Sequence, residues 1–172
     1  MKRKIIAVIA ALALSLTALA SCGDSSSMTP EMKGYEAGAN KDEKPRKAIE
    51  NAEKLYNSLT WKDELNYVEE DLIEKRANQF YGITKDMYTS GLIYFGSGAT
   101  AEEIACFDAV DADAAEKIKK GFEKRVADQK KAFENYVPGE LVKLDAAIVK
   151  VDGLCVYLCI TDDSAKAAEL IG

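Results

Sequence analysis

The feature that most constrains the fold is a long amphipathic segment from Asp113 to Tyr136. Its core-facing positions recur every three or four residues, at Ala115, Ile118, Phe122, Val126, Gln129, Phe133 and Tyr136. This spacing predicts one helix with a single buried stripe. Asp113 fits the N-cap position, and Glu116, three residues later, completes a capping box. Pro138-Gly139 ends the helix. At 1.5 Å per residue the helix is about 36 Å long, so the remaining elements must pack along it.

Two strand pairs flank this helix in the sequence. Met87–Phe95 and Ile104–Val110 have strand-like composition and are separated by the loop Gly96-Ser97-Gly98. Thr100-Ala101-Glu102-Glu103 matches a capping box, which predicts one helical turn before the second strand. Ala146–Val151 and Leu154–Ile160 surround Asp152-Gly153, a strong hairpin signal.

The order of elements predicts an α+β fold. A first helix is expected to begin near Pro45, and a second covers Asp71–Phe80 and ends at Gly82. Leu65 to Val68 is compatible with a short strand or a turn. Two ββα units follow, the second ending in a helix over Asp163–Ile171 with a cap at Asp162 or Asp163. We therefore expect N-terminal helices and a four-stranded antiparallel sheet with helices packed on one face.

The first residues have the pattern of a secretory signal peptide. Lys2, Arg3 and Lys4 precede an apolar run from Ile5 to Ala20, and small residues lead to Cys22. Leu19-Ala20-Ser21-Cys22 resembles the lipobox of bacterial lipoproteins. That resemblance implies a diacylglyceryl group on the Cys22 thiol and cleavage after Ser21.

Two other readings of this segment are an ordinary secretory signal cut near Ala18 to Ala20 and an uncleaved membrane helix. Sixteen residues span about 24 Å as a helix, which is short of the roughly 30 Å of a bilayer core. The sequence therefore predicts a signal peptide with lipobox at 1–21, a flexible tether at 22–45 and a single α+β domain at 46–172.

Charge and composition restrict the functions to be considered. The 172 residues include 23 basic and 29 acidic ones, a net charge of −6, and loss of Lys2, Arg3 and Lys4 would make the remainder more acidic. Such a chain is not expected to bind nucleic acid, and membrane lipid reached through acylated Cys22 is the expected partner. Histidine, the commonest general base and metal ligand, is absent from the sequence.

Several clusters have some features of a functional site, but none predicts a catalytic, cofactor or metal residue. The aspartates lack the spacing of a calcium loop and fit helix caps better. The Gly96-Ser97-Gly98 loop lacks the ending of a phosphate loop, and the cysteines have no histidine to activate them. Buried free thiols are favoured, although Cys106 could pair with Cys155 or Cys159. These clusters are the aspartates Asp108, Asp111, Asp113, Asp162 and Asp163, the cysteines Cys106, Cys155 and Cys159, and the strand aromatics Tyr88, Tyr94 and Phe95, which are expected to pack in the core.

The body from about Ile49 onward resembles an uncharacterised family of small bacterial lipoprotein domains of unknown function. This resemblance rests on three stretches: Ala101-Glu102-Glu103-Ile104-Ala105, the run Arg125–Phe133, and Tyr136-Val137-Pro138. It implies export, lipid anchoring and an α+β body, and it assigns no site residue. We expect an exported protein on the outer face of the cell membrane that acts as a binding or structural module without catalysis. A cell-envelope hydrolase using carboxylates and a small-solute-binding lipoprotein are the alternatives.

Overall fold

The computed structural model describes residues 46–172. The signal segment, Cys22, the tether and Pro45 lie outside the described residues. The described elements are α1 (Lys47–Ser58), β1 (Asn66–Tyr67), α2 (Glu70–Tyr81), β2 (Tyr88–Phe95), β3 (Glu103–Ala109), α3 (Ala112–Glu134), α4 (Leu141–Asp145), β4 (Ile148–Asp152), β5 (Cys155–Ile160) and α5 (Ser164–Leu170). Single 3-10 turns lie at Lys85–Met87 and Pro138–Glu140.

The α+β class is confirmed, but the strand count is not. The sheet has five strands in the order β1-β2-β3-β5-β4, and every neighbouring pair is antiparallel. The additional strand is β1, whose two residues pair with Tyr94 and Phe95 of β2. A strand this short has no alternating pattern of its own, because its pairing is set by the neighbouring strand.

The prediction that the helices cover one face is wrong, because helices cover both. Helices α2, α3 and α4 bury one apolar cluster against Ile93, Phe107 and Leu158. On the opposite face α1 and α5 bury a second cluster with Tyr94 and Cys106. The physical reason lies in β3 and β5, which are buried almost throughout on both faces.

Helix α3 is the long element that the apolar spacing predicts. It begins after Asp111, whose side chain accepts a hydrogen bond from the Ala114 N–H at 2.7 Å, so the cap lies two residues before the predicted Asp113. The buried stripe stops before the predicted end, since Tyr136 is 70% exposed. Helix α2 passes very close to α3, because a Cβ added to Gly121 would lie 2.4 Å from the Tyr81 carbonyl oxygen.

Three local signals are confirmed and one is not. Gly82 ends α2 with a φ of 68°, and Gly153 turns the β4–β5 hairpin with a φ of 64°. Asp163 caps α5 by accepting from the Lys166 N–H. The helical turn predicted from Thr100 is absent from the described chain between β2 and β3. Instead of forming a capping box, Glu102 accepts a hydrogen bond from the Lys62 N–H and Glu103 accepts one from Arg125.

Candidate functional site

A pocket of about 430 Å³ opens between the β2–β3 loop and the second half of α3. The loop side contributes Phe95, Gly96 and Thr100, and the helix contributes Gln129, Phe133 and Tyr136 among others. This volume falls in the range of small-molecule sites, which combine mostly apolar walls with a few polar groups.

The polar floor of the pocket is built around the buried carboxylate of Glu103, which is 1% exposed. Arg125 binds it through Nε at 3.1 Å and Nη2 at 2.7 Å, both to Oε2. Gln129 Nε2 donates to the same oxygen at 2.7 Å, and the Tyr81 hydroxyl donates to Oε1 at 2.9 Å. The first residue of β3 is thereby joined to both α2 and α3.

Electrostatics raise the pKa of two members of this cluster, Tyr81 and Arg125. Burial, followed by the negative charge of Glu103, raises the pKa of the Tyr81 hydroxyl well above its usual range. Burial alone would lower the pKa of Arg125, but Glu103 outweighs that effect and the net pKa is raised. The guanidinium also lies over the Phe80 ring, 4.8 Å from its centroid. Tyr81 therefore stays a hydrogen-bond donor and Arg125 stays a cation.

Gln129 has one polar atom with no partner. Gln129 is only 6% exposed, and its Oε1 accepts no hydrogen bond from any residue in the range 46–172. Exchanging the positions of Oε1 and Nε2 is not possible, because the Glu103 carboxylate only accepts hydrogen bonds. The donor Nε2 must therefore face Glu103. A buried acceptor left unpaired costs about 1–3 kcal/mol, and this one belongs to a residue that lines the pocket.

A second buried charge cluster supports the loop side of the pocket. The Lys143 Nζ, on a side chain 2% exposed, lies 3.1 Å from Glu102 Oε1 and 3.0 Å from Glu140 Oε2. Burial lowers the pKa of Lys143, but the hydrogen bonds to Glu140 and Glu102 outweigh it and the net pKa is raised. Glu140 also accepts from the Ala101 N–H at 2.9 Å. Lys143 thus fixes the segment that leads into β3.

Asp63 holds the tip of the same loop. Its Oδ2 accepts from both the N–H and the hydroxyl of Ser97 at 2.7 Å. The Ser97 hydroxyl is the largest cause of a lowered pKa at Asp63. Two backbone N–H groups, of Lys62 and Asp63, donate to Glu102 at 2.9 and 3.0 Å. The Gly96-Ser97-Gly98 loop is thus a hairpin connection held by side-chain hydrogen bonds and not a phosphate loop.

The aspartates considered in the sequence are placed as helix and loop partners. Asp111 and Asp163 are N-caps, and Asp113 lies in the first turn of α3. Asp108 of β3 accepts from the Ala48 N–H in the first turn of α1 at 3.0 Å. Asp162 pairs with Lys62 at 2.8 Å. No group of three or more potential metal ligands occurs among residues 46–172.

The three cysteines of residues 46–172 belong to the core. Cys106, Cys155 and Cys159 are buried and free, as favoured from the sequence. Burial raises the pKa of Cys159 to about 12, so its thiol has no thiolate character at neutral pH.

The three strand aromatics divide between the core and the pocket. Tyr88 and Tyr94 are buried on opposite faces of the sheet, and Tyr94 stacks on Tyr56 with centroids 4.4 Å apart. Phe95 lines the pocket.

Sequence reasoning missed the residues that build the site. Gln129 was assigned to the apolar stripe of α3, and the signal that could have identified it was its polarity at a core position. Glu102 and Glu103 precede an apolar strand, which is also an unusual place for two acidic residues. Arg125 and Lys143 could not be paired with them without knowing the tertiary structure.

Residues 62–161 match a family described as a domain of unknown function, DUF4358. The chain belongs to the DUF4358 family. The matched segment covers more than half of the 172 residues and includes the pocket and the buried Glu102, Glu103 and Glu140. No curated protein and no solved structure matches the chain. Within the part of this DUF4358 protein that the structure describes, no helix is long and apolar enough to cross a membrane.

Proposed function

We propose that this protein is a lipid-anchored, extracytoplasmic binding module of the cell envelope that has no catalytic activity. The observation that carries the binding role is the pocket beside α3, about 430 Å³ in volume, which combines the apolar side chains of Phe95 and Phe133 with the polar side chains of Arg125 and Gln129. Pockets of this size and lining are the usual form of a small-molecule site.

The sequence supports the anchoring part of the proposal. A basic start, an apolar run and the lipobox-like Leu19-Ala20-Ser21-Cys22 favour export followed by lipid attachment at Cys22. The acidic composition gives the protein no electrostatic attraction to anionic lipid, so the acyl chains would provide the hold on the outer face of the membrane. The segment 22–45 would then serve as a tether for the domain.

The pairing of the buried carboxylates favours binding over hydrolysis. Glu102 and Glu103 are adjacent in sequence, but Glu102 is bound by Lys143 and Glu103 by Arg125. Each carboxylate also accepts further N–H or O–H donors. A general acid or nucleophile needs a free oxygen beside the substrate. A carboxylate-dependent envelope hydrolase therefore remains the weaker candidate, and small-solute binding is the form of the proposal that the pocket favours.

Anchoring is tested by Cys22→Ser, which should yield a protein that lacks the lipid mass and leaves the detergent phase in a phase-partition experiment. Cys22→Ser combined with Ser25→Cys is the matched control, because it restores a thiol three residues beyond the lipobox position. We expect this double variant to remain unlipidated. A Cys22→Ser protein that still carries the lipid and still partitions into detergent would overturn the anchoring proposal.

Binding is tested by a thermal-shift screen of small uncharged fragments against three proteins. Ala132 is an exposed residue of α3 that lines the pocket, so Ala132→Trp should fill it without disturbing the core. Ala127 is an exposed alanine on the same helix outside the pocket, and Ala127→Trp is the matched control. Fragments should stabilise the wild type and Ala127→Trp but not Ala132→Trp. A screen without any fragment that follows this pattern would count against the binding role.

A further inference from the structure

We propose that the free edge of β4 pairs with β4 of a second copy of this chain, in an antiparallel two-fold dimer that joins the two sheets. This surface is separate from the pocket beside α3, and the dimer does not depend on the proposed binding function. Three observations support it: the unpaired backbone groups of β4, the lack of protection at this edge, and a register in which the strand complements itself.

Two residues of β4 direct their backbone groups away from the sheet. The Leu154 carbonyl accepts a hydrogen bond from β3 at 2.8 Å, so the next residue, Cys155, directs its backbone groups to β4. Cys155 lies opposite Asp152, and the direction alternates along a strand, so Val149 and Val151 face outwards. Among residues 46–172 β4 pairs only with β5, and neither valine has another backbone partner.

The two edges of the sheet differ in how they are protected. Natural edge strands are kept from pairing by being very short, by proline, by a bulge, by a cover or by a charged side chain. β1 has two residues and offers almost no edge. β4 has five residues without proline, and its register with β5 is continuous. Its Lys150 donates to the Ile171 carbonyl at 3.1 Å, which holds the ammonium at the C-terminal end of α5.

Three symmetric antiparallel registers place these outward-facing valines opposite one another, and two of them are unfavourable. With Val149 opposite Val151, the two Lys150 side chains lie directly opposite each other, and like charges in that position are destabilising. With Val151 opposite itself, Val149 lies opposite Gly153, which has a φ of 64° and belongs to the hairpin turn. That register therefore leaves only one complete pair of outward-facing residues.

The third register places Val149 opposite Val149 of the second copy. Val151 then lies opposite Ala147, and Lys150 lies opposite Ile148, so no like charges are opposed. Ala147, Val149 and Val151 already pack at the margin of the apolar cluster beneath α3, and the pairing extends this cluster across the interface. Of the three registers this one forms the most backbone hydrogen bonds without a charge conflict.

Two exposed apolar side chains flank the strand. Val142 of α4 is 72% exposed, and Leu154 of the hairpin turn is 42% exposed. An antiparallel pairing sets the α4 end of one strand beside the turn end of the other. Val142 of one copy and Leu154 of the other then lie at the same end of the interface, where their contact would add apolar burial to the backbone hydrogen bonds.

The strength of the dimer follows from the size of the interface. One pair of short strands buries less surface than a stable dimer needs, so we expect a Kd of about 100 µM. Copies anchored in one membrane plane, as proposed above, would meet at a higher effective concentration than in solution, which would favour the dimer there.

Exchange of backbone amides with water, followed by NMR in the purified Cys22→Ser protein, tests the pairing. At a concentration of about ten times the Kd, about one fifth of the chains remain monomeric, so the Val149 and Val151 amides should exchange about fivefold more slowly than in dilute solution. The Tyr67 amide, which faces outwards at the opposite edge, is the internal control and should not change. Sedimentation velocity at the same concentrations should show the dimer.

Cysteine variants test the register in the same Cys22→Ser background, where Cys106, Cys155 and Cys159 are buried. Val149→Cys should form a disulfide between two copies on oxidation, because the Cα atoms of a hydrogen-bonded pair are about 5.5 Å apart. Val151→Cys is the matched control, because its two copies would be about 14 Å apart. Adding Ala147→Cys to Val151→Cys should restore the cross-link.

A protein that sediments as a monomer at the high concentration would overturn the dimer. Valine amides that are protected equally at both concentrations would show that this edge is covered within a single chain, which also overturns it. A dimer in which these amides do not slow would use another surface. Self-cross-linking of Val151→Cys without that of Val149→Cys would contradict the register. Each of these results leaves the pocket and its fragment screen unaffected.

Discussion

Replacement of Lys143 by methionine should cost this protein a large part of its stability. The ammonium is 2% exposed and lies about 3 Å from both the Glu102 and the Glu140 carboxylates. Methionine keeps the length and apolar stem of lysine but removes the charge, so two carboxylates would remain without their cation. Removing one partner of a buried ion pair costs about 3–5 kcal/mol.

The structure also sets the size of the repulsion that Lys143→Met would expose. Both carboxylate oxygens bind one Nζ, at 3.1 and 3.0 Å, so they are at most about 6 Å apart. Two charges at that distance repel by about 3 kcal/mol at an effective dielectric of 20. Lys143→Met combined with Glu102→Gln should therefore recover much of the loss, because only Glu140 then remains charged of these two buried carboxylates; Asp162, 3.7 Å from the Lys143 Nζ, keeps its own partner Lys62.

Urea denaturation measures these differences as changes in the free energy of unfolding. Lys130→Met is the matched control, because Lys130 pairs with Asp145 at 2.8 Å on the surface, with the two side chains 39% and 71% exposed. Exposed pairs contribute at most about 1 kcal/mol. If Lys143→Met destabilises the protein no more than Lys130→Met does, the buried cluster is not a stabilising support of the pocket loop and the reasoning fails.

Three further changes test individual contacts. Gly121→Ala should destabilise by about 1–3 kcal/mol in the same assay, because its Cβ would lie 2.4 Å from the Tyr81 carbonyl oxygen. Tyr81→Phe removes the donor 2.9 Å from Glu103 and should cost about 1–2 kcal/mol; an unchanged unfolding midpoint would show that this bond contributes nothing. The stabilisation linked to the lowered pKa of Asp63 is present above its ordinary pKa and is lost as the pH falls through the folded value. Ser97→Ala should therefore raise that pKa in a carbon-detected NMR titration, and a pKa that does not move would exclude Ser97 as its main cause.

Local signals predict much of this fold. Three of these signals act within a few residues of their own position, and each has the predicted role: Gly82 ends α2, Asp163 caps α5, and Asp152-Gly153 turns the β4–β5 hairpin. Apolar spacing locates α3 to within two residues at either end. These features depend on backbone geometry and periodicity, which a short stretch of sequence carries on its own.

Features that depend on contacts between distant segments are less predictable. The two-sided helical cover was missed although the runs Ile104–Phe107 and Val156–Ile160 are continuously apolar, a pattern that indicates strands buried on both faces. Strand β1 exists only because β2 pairs with it. Lys143 and Glu102 are 41 residues apart, and no local pattern relates a lysine to a glutamate at that distance.

The candidate site also depends on contacts between segments that are distant in the sequence. Gln129 stands in the helical stripe at a position that the spacing marks as core, and its polarity there is the one local indication of a special role. Its partner Glu103 lies 26 residues earlier and becomes a neighbour only when β3 packs against α3. The burial of Gln129 against Glu103 is therefore a property of the fold rather than of any sequence motif.

The most direct test of the binding role follows the side-chain amide of Gln129 by NMR. The sequence contains two glutamines, so selective labelling of glutamine with 15N gives the signals of Gln79 and Gln129 alone. Gln79 lies on the exposed surface and accepts from Arg76 at 2.9 Å, which makes it an internal control. On titration with a fragment that stabilises the wild type but not Ala132→Trp, the Gln129 signal should shift and saturate, because this residue lines the pocket, while the Gln79 signal stays fixed. A Gln129 signal that does not move across the titration, or that moves only together with Gln79, would contradict the account.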